Sequence, residues 1–164
     1  MKPSLYLETT IPSYLTARTS SNLIIAGRQA ITHEFWESER HKYNLYVSDY
    51  VLGECVRGDT DAAKRRLNLI DGIELLKSTS DVDPLADIYM RLLSIPKKNR
   101  IDALHLAICC LNEINILLSW NCSHLGIDSM LKVQKYNDAN KLLTPRMITP
   151  DYLVDRYLEG DIYE

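Results

Sequence analysis

Residues 100–120 read RIDALHLAICCLNEINILLSW. Between Ile101 and Leu111 the only polar side chains are Asp102 and His105. A helix that is apolar all round is a buried one, so Arg100 to about Asn112 reads as a helix inside the protein. Ile114 to Ser119 follows almost at once and is a short apolar run, the pattern of a buried strand. Strands alternating with helical segments imply right-handed crossovers and a mostly parallel sheet.

The same alternation extends in both directions. Ser4-Leu5-Tyr6-Leu7 reads as a buried strand that ends at Glu8-Thr9-Thr10, and Pro12 suits the first turn of a helix. An amphipathic stretch runs from Leu23 to about Arg40, with Ile24, Ile31, Phe35 and Trp36 as its apolar stripe. Leu45 to Ser48 reads as a strand, with Asp49 as the expected cap of a helix to about Arg57. Thr60 to Ile70 is helical and stops at Gly72, Ile73 to Leu76 is a strand, and Val82 to Leu93 is a helix between Asp81 and Pro96. After the opening stretch come a helix near Ile127 to Tyr136, an edge strand at Arg146 to Thr149, and a tail from Pro150 with room for one short helix. The expected fold is three-layer α/β/α with a mostly parallel central sheet of four to five strands. An all-helical bundle would leave the apolar runs near residues 5, 45 and 115 unexplained.

The 164 residues suit one domain, residues 1–164, with one core. With 46% hydrophobic and 25% charged residues the chain is an ordinary globular sequence. A formal net charge of -3 excludes a molecule that is basic all over, so a polyanion would need a local basic patch or a bridging metal. No stretch reads as an export signal, and none approaches the roughly 20 apolar residues of a membrane span. Cys55, Cys109, Cys110 and Cys122 form no C-x-x-C pair, so they read as small apolar residues in a reducing compartment, and a cytoplasmic location is expected.

In open parallel sheets, ligands sit outside the carboxyl ends of the strands. The polar residues expected there are mostly acids. Glu8 closes the first strand, Glu54 lies on the helix after the second, and Asp102 opens the helix leading to a strand closed by Ser119-Trp120-Asn121. Asp102 supports two readings: a ligand buried for a metal, or a first-turn residue with Asn99 as N-cap and backbone N–H groups as its partners. Glu54 flanks the apolar arc of Val51, Leu52, Cys55 and Val56, and by itself fits a solvated helix edge. Asn121 by itself fits a turn, and His105 reads as a hydrogen-bonded interior histidine. Together the three acids and the amide would repel without a counter-cation. Mg²⁺ or Mn²⁺ suits such oxygen-rich sites and orients phosphate. Lys97, Lys98 and Arg100 lie just before Asp102 and read either as phosphate-docking groups or as a solvated loop, while Lys64, Arg65 and Arg66 read as surface charge.

Four stretches in this order resemble the PIN domain, and more closely the VapC-type toxins of type II toxin–antitoxin pairs. They are Tyr6-Leu7-Glu8-Thr9-Thr10; Ser48 with Glu54; Ile101-Asp102-Ala103-Leu104-His105-Leu106-Ala107; and Leu118-Ser119-Trp120-Asn121. The similarity runs from about Leu5 to about His124. It implies a metal-dependent endoribonuclease in which metal-activated water hydrolyses a phosphodiester. The implied acids are Glu8, Glu54 and Asp102, with Asn121 at the fourth position and Thr9 and Ser119 as the hydroxyl residues. It also implies a small cognate antitoxin as partner. Two departures stand out: Glu8 replaces the usual Asp, and Asn121 replaces an acid. The alternatives are a catalytically weak PIN module that binds RNA or protein, and a DNA-directed nuclease of the same fold. A homodimer is expected from the amphipathic, tyrosine-rich stretch Tyr152 to Leu158.

Overall fold

The computed structural model describes residues 1–122 and 125–154. Five short strands form one sheet: β1 (Ser4–Leu7), β2 (Asn44–Ser48), β3 (Glu74–Leu76), β4 (Ile116–Leu118) and β5 (Arg146–Ile148). The helices are α1 (Thr10–Thr16), α2 (Leu23–Glu34), α3 (Asp49–Cys55), α4 (Thr60–Ile70), α5 (Val82–Leu93), α6 (Arg100–Leu111) and α7 (Ile127–Ala139). All four strand pairings are parallel, in the order β3-β2-β1-β4-β5. The expected three-layer α/β/α fold is therefore present, with five strands.

The order runs outward from β1 in both directions. Right-handed crossovers then put the helices before β3 on one face and those after it on the other. Accordingly α1 packs on α2 and α4, whereas α5 packs on α6 and α7. The central strand pays for this position in composition: Leu5, Tyr6 and Leu7 are wholly buried, as a strand covered on both faces requires. Within α6, Ala103, Leu106, Ala107, Ile108 and Cys109 are also fully buried. Cys55, Cys109 and Cys110 are buried free thiols. Burial pushes the Cys55 thiol up to about 11, so it stays protonated and behaves as a small apolar group.

Several local expectations are corrected. Ser48, not Asp49, caps α3: its backbone is extended and its Oγ accepts the Val51 N–H at 3.4 Å. Asp49 is already inside the helix and accepts the Ser78 N–H instead. Asn99 gives α6 no side-chain cap, because the 3₁₀ turn Lys97–Asn99 runs straight into the helix and denies it an extended backbone. Ile24 is 69% exposed, since the first turn of α2 lies clear of the core, and Gln29 and Thr32 are the buried side chains of that helix. Beyond α2 the chain widens into a π turn at Phe35–Glu39, where Phe35 is buried. The tail forms a 3₁₀ turn at Pro150–Leu153. Asp155 to Leu158 of the expected dimer segment, and His124 at the end of the resemblance, lie outside the described residues.

Arg66, expected to be surface charge, does structural work on α3. Its Nε and Nη2 donate to the Cys55 carbonyl at 3.1 and 2.9 Å, and Nη2 donates to the Arg57 carbonyl at 2.6 Å. A cation here satisfies the orphan carbonyls at the end of the helix that carries Glu54. Arg66→Ala should lower stability by about 1–2 kcal/mol, read as a drop in the urea midpoint with an unchanged m-value.

Candidate active site at the carboxyl edge of the sheet

The strand order reverses direction between β1 and β4, and that switch point is where open α/β sheets leave a crevice. Leu7 pairs with Leu118, so the residues just beyond, Glu8 and Ser119, emerge side by side. Their side chains meet: Ser119 Oγ donates to Glu8 Oε2 at 2.8 Å. The same oxygen accepts the Thr10 N–H at 3.0 Å and the Thr10 hydroxyl at 2.6 Å. Glu8 Oε1 accepts no hydrogen bond from the described residues. The Thr10 hydroxyl oxygen also receives the Trp120 N–H at 3.0 Å, and Ser119 Oγ the Asn121 N–H at 2.8 Å. The start of α1 and the loop after β4 are thereby tied to one carboxylate.

Glu54 reaches the same edge from α3. Its Oε1 accepts hydrogen bonds from Thr9 Oγ1 at 2.6 Å and His105 Nε2 at 2.8 Å, and Oε2 accepts none from the described residues. Burial pushes the Glu54 carboxyl up, but His105, the Thr9 hydroxyl and the charge of Arg57 outweigh it and hold the pKa below the usual value. Asp102 is 8% exposed, and its Oδ1 accepts Asn121 Nδ2 at 3.2 Å. Glu8, Asp102, His105, Ser119 and Asn121 line a small cavity of about 10 Å³, walled on its apolar side by Leu117, Leu125 and Met147.

Glu8 and Asp102 thus share a cavity, and Asn121 and Ser119 stand beside them. Glu54 is joined to Glu8 in another grouping: donor atoms of Glu8, Glu54 and His105 lie within 4.8 Å of one another. His105 is the interior, hydrogen-bonded histidine expected, and it also faces the acids. Lys97 and Lys98 are exposed in the turn before α6. Arg100 is committed elsewhere, to Asp83 at 2.6 Å and to Asp87 on α5. Three participants stand in the stretches that carry the resemblance but received no role from the sequence: Thr10, and the buried Tyr6 and Ser48, whose hydroxyls are 2.6 Å apart. The available signal for Tyr6 was a lone polar atom in an otherwise apolar strand; burial keeps its hydroxyl protonated by raising its pKa well above the ordinary value.

An all-parallel sheet in this order, with acids at its switch point, defines a PIN fold of the VapC type. The chain matches the crystal structure of VapC20 from Mycobacterium tuberculosis, a toxin that cleaves the sarcin–ricin loop. The TM-score is 0.58 at 16% sequence identity, over 74% of this chain and 92% of that chain. No family model matches the sequence. No curated protein matches it either. The likeness is one of fold.

The depressed Glu54 pKa carries a sign. Its stabilising contribution is complete above the unfolded glutamate value of about 4.3 and is lost as the pH falls through the lower folded value. Urea midpoints followed between about pH 3 and 6 should decline on the acid side. Glu54→Gln, which has no charge to lose, should show a shallower acid limb.

Proposed function

We propose that this chain is a metal-dependent endoribonuclease and the toxin of a toxin–antitoxin pair, acting in the cytoplasm. Glu8, Glu54, Asp102 and Asn121 form the reacting site, with Thr9 and Ser119 in support. The observation that carries this reading is the state of the carboxylates at the switch point. Among the described residues, Glu8 and Glu54 each have one oxygen saturated by hydrogen bonds and the other free of them.

The residues fit Mg²⁺ or Mn²⁺. The cavity of about 10 Å³ has room for about one water-sized sphere, and its polar lining is rich in carboxylate, amide and hydroxyl oxygens, the donors hard cations select. Bound there, a divalent cation would neutralise phosphate and lower the pKa of a water. The chain's own groups do the positioning. Thr10 and Ser119 hold Glu8 in one conformation, Thr9 restrains Glu54, and the Asn121 amide steadies Asp102. Acids fixed before substrate arrives lose little on reorganisation. The longer Glu8 is accommodated because Thr10 and Ser119 draw Oε2 back against the backbone. Asn121 donates where an acid would repel, which lowers the negative charge of the site by one.

RNA is the substrate by likeness to VapC20, and the exposed Lys97 and Lys98 are the groups assigned to its phosphates. A small antitoxin is the proposed partner, since a pocket of carboxylates also attracts a guanidinium, which makes bidentate bonds to them. The chain is proposed to act as a homodimer. No helix among the described residues is long and apolar enough to cross a membrane.

Purified protein should cleave RNA with Mg²⁺ or Mn²⁺, in preference to single-stranded DNA, and EDTA should abolish cleavage. Asp102→Ala should stay folded and lose more than about 100-fold in rate, beyond the 10–100-fold typical of groups behind the ligands. Wild-type rates in that variant would remove Asp102 from the site. RNA binding without cleavage under any metal would instead favour a binding module. In cells, expression of the chain alone should slow growth and its genomic neighbour should restore it. Normal growth at confirmed high soluble expression would reject the toxin role.

A further inference from the structure

Behind Glu54 runs a buried chain of hydrogen bonds that the proposed chemistry does not use. Ser48 Oγ lies 2.6 Å from the Tyr6 hydroxyl, and that hydroxyl lies 2.6 Å from His105 Nδ1. The other ring nitrogen, Nε2, lies 2.8 Å from Glu54 Oε1. The groups come from four elements: the end of β2, β1, α6 and α3. Ser48 and Tyr6 are wholly buried and His105 is 2% exposed. Polar groups so deep must satisfy one another, since water is not there to do it.

Counting hydrogens gives the chain a direction. A carboxylate only accepts, so Nε2 carries a hydrogen and donates it to Glu54 Oε1. With Nδ1 as the acceptor, the Tyr6 hydroxyl donates to it and the Tyr6 oxygen accepts from Ser48. Ser48 Oγ keeps a lone pair for the Val51 N–H at 3.4 Å. Every hydrogen then has an acceptor. In the reverse direction, Nδ1–H would donate to Tyr6 and Tyr6 to Ser48, which would strand the buried Ser48 hydroxyl hydrogen with no acceptor among the described residues.

We propose that His105 is a positioning residue: the Ser48–Tyr6 relay holds it as the Nε2–H tautomer, and it pins Glu54 Oε1 so that Oε2 is presented to a divalent cation. The proposal rests on the reading of Glu54 as a cation ligand. Glutamate has three rotatable side-chain bonds, and Thr9 alone would anchor only one oxygen by one contact. A second donor from α6 couples the carboxylate of α3 to the helix that bears Asp102, three residues earlier on the chain. Groups that orient ligands in this way change metal affinity by about 10–100-fold when removed.

Two measurements test it. In wild-type protein, nitrogen-15 NMR of the His105 ring should show a protonated Nε2 and an unprotonated Nδ1; the opposite tautomer would overturn the relay. Calorimetric titration with Mn²⁺ and with Mg²⁺ then compares His105→Leu, His105→Gln and Tyr6→Phe. His105→Leu should weaken affinity about 10–100-fold. His105→Gln places an amide N–H where Nε2 stood and should recover most of that loss, although both variants lose the bond to Tyr6 and should show similar falls in Tm. Tyr6→Phe frees the tautomer and should weaken affinity by up to about 10-fold. Equal affinity of wild type and His105→Leu, or a Gln variant as weak as Leu, would overturn the positioning role. Failure of the wild type to bind either cation would overturn the reading of the site itself, a different result from any loss confined to His105 variants.

Discussion

The in-register pairing of β1 with β4 is the constraint on which the site depends. Leu7 lies beside Leu118, and both strands are buried up to that point. The first residues past the pair, Glu8 and Ser119, must therefore leave the sheet together. A slip of one residue would turn Glu8 to the other face and separate the pair. Because β1 is central and the strand order reverses beside it, the crossovers leave a gap at this edge where helices do not close over the strand ends.

The acids are stabilised by neighbours of short sequence reach on one side and long reach on the other. Thr10 serves Glu8 from two residues away, while Ser119 arrives from the far half of the chain. Thr9 and His105 converge on a single oxygen of Glu54 from α1's start and from α6. Each hydrogen bond to a carboxylate is charge-assisted and stronger than a neutral one, so a small number of hydroxyls suffices to hold the carboxylates in place. Among the described residues, the bonds saturate one oxygen of each glutamate and leave the other. In the proposed function, the oxygen left over is the one offered to a cation.

Where the sequence misleads, the cause is local in each case. Ser48 outranks Asp49 as a cap because Ser48 keeps the extended backbone of the strand end, while Asp49 is already the first residue of α3. The ion pairs of Arg100 were hidden because its partners, Asp83 and Asp87, lie on α5, more than ten residues before it. Arg66 looked like surface charge because its acceptors are backbone carbonyls, which no residue type announces. Ile24 looked like core because periodicity records a face and not whether that face overlaps anything.

By itself the sequence determined the elements. Apolar runs of four or five residues at Leu5, Leu45 and Ile116, separated by helical periodicity, admit little besides a parallel sheet between helices, and the apolar length of α6 marks it as buried. It also singled out Glu8 and Asp102, because acids at strand ends or on buried helices are costly without a purpose, whereas Glu54 joined them only through its place at the same sheet edge and the resemblance. Only the tertiary structure decided which of their oxygens are bonded. It decided too that His105 faces Glu54 while its other nitrogen meets Tyr6. Apart from those of Thr10 with Glu8 and of Asn121 with Asp102, those contacts join residues 45 to 111 positions apart, and side-chain geometry over such separations is set by how helices pack on the sheet. Residue pattern along the chain carries no record of that packing until the layers meet.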